Sequence, residues 1–104
     1  MYIILIKYIK PLVEVDQCIP PHLEFLDAQY QKGVFIASGA RVPRTGGVIL
    51  AVGNNRATID DILKQDPFYI AKVAEYEVIE FSPSKMKQGF EQFLSIPQGQ
   101  AKTH

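Results

Sequence analysis

The sequence predicts one α+β domain of the split βαβ, ferredoxin-like kind: an antiparallel four-stranded sheet with two helices on one face. Three observations predict it. The chain has 104 residues, a length that fits a single domain. Strand-like and helix-like segments follow one another in the order β-α-β-β-α-β. The first strand is apolar on both of its alternating faces, which marks it as covered on both sides.

The first strand runs from Tyr2 to Ile9 and ends at Lys10-Pro11. Tyr2, Ile4, Ile6 and Tyr8 share one face; Ile3, Leu5 and Ile9 share the other. A helix is expected within 16–32. Pro20 and Pro21 suit a first helical turn, so its regular part starts near Pro20, after a short preceding turn. Ile19, Leu23, Leu26 and Tyr30 recur at helical spacing as its apolar stripe, and Gly33 stops it.

Val34 to Val42 forms the second strand and Val48 to Val52 the third, joined by the hairpin-length loop Pro43-Arg44-Thr45-Gly46. Asn54-Asn55 reads as a turn. Thr58 and Asp61 resemble a capping box, opening a helix over 59–65. Asp66-Pro67 interrupts it, because a residue before proline disfavours helical geometry. Phe68 to Lys72 gives one more helical turn, and Val73 to Phe81 is the fourth strand. A last helix is expected over about 84–94, with Met86, Phe90, Phe93 and Leu94 as its apolar side. The domain thus covers 1–96, and 97–104 is a polar, flexible tail.

Composition excludes several classes of protein. Eleven Lys and Arg balance 11 Asp and Glu, for a net charge of zero, so there is no global attraction to nucleic acid or to an anionic membrane. One Cys forms no internal disulfide. Two His and one Cys are too few for a zinc finger, and no metal site is expected. No stretch approaches the roughly 20 apolar residues of a spanning helix, and the N-terminus lacks the charge-first pattern of a signal peptide. A cytoplasmic location is the expectation.

Few groups are left to carry chemistry. His22 lies at the start of the first helix. One reading is a histidine that merely packs there. The other is a general base, since histidine titrates nearest neutral pH and a helix N-terminus favours its neutral form. Asp66 is either a turn-forming residue or the carboxylate that orients His22, as in a catalytic triad. Ser38, Gly39, Arg41, Arg44, Gly47 and Phe68 form the candidate binding set around this pair. Gly39 permits close approach to the backbone, and arginine suits a carboxylate ligand. Cys18 reads better as a small buried thiol than as a nucleophile. Ser82-x-x-Lys85 matches a penicillin-recognising motif, but the chain is too short for that fold. Glycine-rich phosphate signatures are absent.

His22-Leu23-x-Phe25-Leu26 after a first strand, Ser38-Gly39 on the second, Gly46-Gly47 opening the third and Asp66-Pro67-Phe68 before the fourth together resemble the YciI-like (YCII-related) family over roughly residues 1–82. The resemblance implies a dimeric α/β barrel built from two ferredoxin-like domains. It also implies an active-site pair matching His22 and Asp66. One class of members is a dehydrochlorinase, chemistry that needs neither metal nor organic cofactor. Two features depart from many members: the short basic loop Arg41 to Thr45 and the added helix after Ser82.

The expected function is therefore cofactor-free acid–base catalysis, of lyase, isomerase or hydrolase type, on a small anionic organic molecule. The alternative is a non-catalytic module that binds a small metabolite in the same cleft. A weaker third option is a cofactor-free monooxygenase of related fold. Two helices cover only one face of four strands, so a homodimer through the other sheet face is also expected.

Overall fold

A computed structural model of the chain describes residues 1–53 and 55–94. Its elements are β1 (Tyr2–Tyr8), α1 (Leu12–Gln17), α2 (Ile19–Gln31), β2 (Phe35–Ala40), β3 (Gly46–Ala51), α3 (Arg56–Leu63), α4 (Pro67–Ile70) and β4 (Ala74–Glu80). The four strands form one antiparallel sheet in the order β2-β3-β1-β4. This is the expected ferredoxin-like α+β arrangement, with each βα(β) half contributing one central and one edge strand.

Register and alternation sort the sheet into two faces. Tyr2, Ile4 and Ile6 pair with Ala51, Ile49 and Gly47 on β3. This face meets the helices and is buried, joined by Val15 of α1, Leu26 of α2, Ile59 and Leu63 of α3 and Phe68 of α4. The opposite face carries Ile3, Leu5, Val48 and Leu50, with Ile79 from β4. These five are half-buried or exposed. Among the described residues no helix covers that face as the helices cover the first.

Four expectations are corrected. The segment before Pro20 is not a short turn but a separate helix, α1, which starts at Leu12 and sends Val15 into the core. The buried residues of α2 are His22, Leu26 and Gln29, whereas Leu23 is 51% and Tyr30 37% exposed. The helix after the hairpin begins three residues before Ile59. Asn55 is its N-cap, and the Asn55 side chain accepts from the Thr58 N–H, so Thr58 lies inside the helix instead of capping it; asparagine is as good a cap as threonine.

The C-terminal segment also departs from expectation. No helix spans 84–94; one turn of 3₁₀ helix occupies Phe90–Phe93. An eleven-residue helix without a partner face is marginal in water. Met86 and Phe93 are 39% and 46% exposed, so packing does not support it, and Gly89 in the left-handed region interrupts the path. Asn54 and the expected tail from 97 lie outside the described residues.

Both helices that face the site end in the same way. At α2, the Gly33 N–H donates to Tyr30 O and the Val34 N–H to Gln29 O, a Schellman motif with Gly33 left-handed at φ 76°. At α4, the Val73 N–H donates to Phe68 O and the Lys72 N–H to Tyr69 O, with Lys72 at φ 59°. This second motif joins the end of α4 directly to the start of β4.

Candidate functional site

α2 opens with Cys18 as N-cap, and the His22 N–H donates to Cys18 O, so His22 closes the first helical hydrogen bond. Its side chain turns inward and the residue is only 7% exposed. Across from it, α3 stops at Leu63, and Pro67 restarts the chain as α4 with Asp66 as N-cap. α4 lies against α2. Two residues 44 apart in sequence therefore meet, with His22 Nδ1 2.7 Å from Asp66 Oδ1.

Asp66 is fully buried. Its Oδ1 also accepts the Phe68 N–H at 3.0 Å, and its Oδ2 accepts the Tyr76 hydroxyl at 2.6 Å. A carboxylate in such surroundings accepts only, so Nδ1 of His22 is the donor of that bond and carries the proton. Nε2 is left as the imidazole's other nitrogen. Phe68 lies parallel to the imidazole, with centroids 3.9 Å apart and 5° between planes. Tyr76, missed in the sequence, is half-buried on β4. Burial first, and then the Asp66 charge beside it, push its phenol pKa upward, so it stays a proton donor. Only an alternation argument placing Tyr76 on the helix-facing side of β4 would have pointed to it.

His22 forms part of the wall of a cavity of about 280 Å3. The cavity lies between α2 and the ends of β1, β2 and β3. Its apolar lining includes Ile19, Leu23, Ile49 and Phe68; its polar lining comes from Tyr8, His22, Ser38 and Arg44. This explains the exposure of Leu23: it borders an open cavity, not packed core. Ser38 and Ala40 share the face of β2 that points to the helices, by their pairing with Ile49 and Gly47. The Ser38 hydroxyl is fixed by Tyr30, 2.6 Å between oxygens.

Of the expected binding set, Ser38, Gly39, Arg44, Gly47 and Phe68 line this cavity with His22. Asp66 is buried behind His22. Arg41 is exposed and does not line it. It follows Ala40 by one residue, so strand alternation turns it to the other face. Arg44 is not a free cation: it is paired with Asp16 at the end of α1 and sits over the Tyr8 ring, 5.9 Å from its centroid. The hydrogen bond to Asp16 raises the pKa of its guanidinium, which is charged in any case. Cys18 is a partly buried free thiol. Among the described residues no three His, Cys, Asp or Glu side chains gather as a metal site requires, and no helix is long and apolar enough to cross a membrane.

The architecture and site define a small ferredoxin-like protein with a buried His–Asp pair beside a cavity. The chain belongs to the YCII-related domain family, whose pattern matches residues 1–82. A search of curated protein sequences finds no match. Among solved structures the fold resembles 5-chloro-2-hydroxyhydroquinone dehydrochlorinase from Burkholderia phenoliruptrix AC1100, in complex with 2,5-dihydroxybenzoquinone. The TM-score is 0.62 at 17% identity, covering 79% of this chain and 94% of the other.

Proposed function

We propose that this chain is a cofactor-independent acid–base enzyme, of lyase, isomerase or hydrolase type, acting on a small anionic organic molecule. The observation that carries this is the buried His22–Asp66 pair at the wall of the cavity. Asp66 holds the Nδ1 proton, so Nε2 is the nitrogen that takes or gives a proton. Ser38 and the backbone at Gly39 and Gly47 contact the substrate, Phe68 and Leu23 flank it, and Arg44 meets its negative charge. A flat, oxygenated ring suits these walls, and the dehydrochlorinase of similar fold is named for such a compound. General acid–base catalysis by one residue is worth about 10²–10⁴-fold; positioning supplies the rest.

The test is chloride release from chlorinated hydroxyhydroquinones, with proton exchange followed in unchlorinated analogues. His22→Gln with an intact fold should lose about 10²–10⁴ of the rate. Unchanged turnover in that variant removes the mechanism. A compound that binds but is always recovered unaltered identifies a binding module instead.

We propose also that a second copy covers the open sheet face. Ile3, Leu5, Val48, Leu50 and Ile79 form a contiguous apolar band there by register, and an isologous contact buries it on both copies.

A further inference from the structure

We propose that Tyr76 is a positioning residue that sets the basicity of His22 through Asp66. The proposal rests on the reading of His22–Asp66 as the working pair and deepens it. Asp66 has one oxygen committed to His22 and the Phe68 N–H and the other to the Tyr76 hydroxyl. The Tyr76 bond is the shortest of the three, 2.6 Å, in the range of a charge-assisted O–H···O⁻ contact. It ties the carboxylate to β4, while Phe68 ties it to α4.

The direction of the effect follows from charge. A strong donor on Oδ2 draws negative charge away from Oδ1. The imidazolium form of His22 is then held less strongly than it would be by a carboxylate without that donor. Removing the hydroxyl returns the charge to the His22 side and makes the imidazole more basic. Tyr76 donates throughout the range in which histidine titrates, since burial and the Asp66 charge raise its own pKa.

Other groups face this unit. Tyr8 of β1 faces the Tyr76 phenol and Arg44 faces the cavity side. Cys18 lies at the start of α2. The outer side of Tyr76 walls a separate cleft of about 270 Å3 with Arg56, Asp60, Lys64 and Tyr69. The Tyr76 ring therefore also separates Asp66 from that cleft. Tyr76→Phe is the informative variant, because it keeps the ring and removes only the donor.

The experiment is an NMR titration of the His22 imidazole in the full chain, assigned with His22→Gln. Tyr76→Phe should move the His22 midpoint up by about one pH unit relative to the unsubstituted protein. Tyr69→Phe, which removes a neighbouring phenol that makes no bond to Asp66, should leave it in place. A midpoint unmoved or lowered in folded Tyr76→Phe overturns the proposal. If that variant does not fold, 3-fluorotyrosine placed at position 76 is the second measurement. Its more acidic phenol donates more strongly and should move the midpoint down; no movement overturns the proposal. Neither readout needs turnover, so loss of the enzymatic reading through an active His22→Gln remains a separate result.

Discussion

The imidazole of His22 lies flat on the ring of Phe68, 3.9 Å between centroids, and the Phe68 N–H is bonded to the same Asp66 oxygen that His22 meets. One short helix thus supplies both the hydrogen-bond acceptor and the apolar platform for the histidine. Tilt and tautomer are set together.

Asp66→Ala would leave three donors without their acceptor: His22 Nδ1–H and the Phe68 N–H, both buried, and the half-buried Tyr76 hydroxyl. Breaking such a buried set costs about 3–5 kcal/mol. Denaturant unfolding should show a loss of this size. Asp66→Asn should recover only part of it, because its amide NH2 opposes one of the donors. A loss under about 1 kcal/mol for Asp66→Ala would mean that the buried network is not what holds α4 in place.

Asp16→Asn should free Arg44 without unfolding the protein. An exposed ion pair contributes little to stability, so stability should barely change. Calorimetry with benzoate as the probe should show modestly tighter binding, because the guanidinium no longer has to leave Asp16 to meet the carboxylate. Weaker binding would show that Asp16 orients Arg44 instead of competing for it.

Gly46 and Gly47 sit side by side, and their tolerance should differ from that of Gly39. A Cβ on Gly46 would lie 1.8 Å from the Ile6 carbonyl oxygen, a backbone atom with no room to move. Gly46→Ala should therefore cost about 3 kcal/mol or more, at the upper end for overpacking. A Cβ on Gly39 meets nothing within 4 Å, so Gly39→Ala should stay within about 0.5 kcal/mol. Melting temperatures of the two variants check this.

Alkaline pH should unfold the protein through its buried tyrosines. Burial raises the Tyr2 phenol, with Glu80 adding to it; burial and then Asp66 raise Tyr76. Both groups keep their protons in the folded state at pH values where the unfolded chain loses them. Their contribution is fully present below the ordinary value of 10.0 and falls as pH rises above it. Tyr76→Phe should flatten that decline. An equal slope in variant and parent would rule out Tyr76 as its source.

Val48→Lys should break the proposed dimer. Val48 lies beside Leu5 on the open face, and a lysine opposed to its own copy disfavours association. Sedimentation should give a dimer for the parent and an 11.7 kDa monomer for the variant. A parent that is monomeric at micromolar concentration contradicts the assembly.

The chain's own residues determined much of this. Clusters of β-branched and aromatic residues mark β1, β3 and β4, since alternation and bulk leave them little other choice. Pro67 marks the break that makes Asp66 a cap, and His22 stands in the first turn of α2. What local pattern did not reveal is which way surfaces turn. Leu23 belongs to the apolar repeat of α2 yet borders the cavity, and Gln29 is buried in its place. Met86, Phe90 and Phe93 have helical spacing but no surface to pack on, so the helix does not form. Tyr76 looks like any strand tyrosine, and Arg44 like a free cation, until packing sets Asp66 and Asp16 beside them. Periodicity is a property of neighbours along the chain. Which carboxylate a distant hydroxyl meets depends on the packing of α4 against β4, and which one a guanidinium meets on the placing of the β2–β3 loop beside α1; only the tertiary structure decided both.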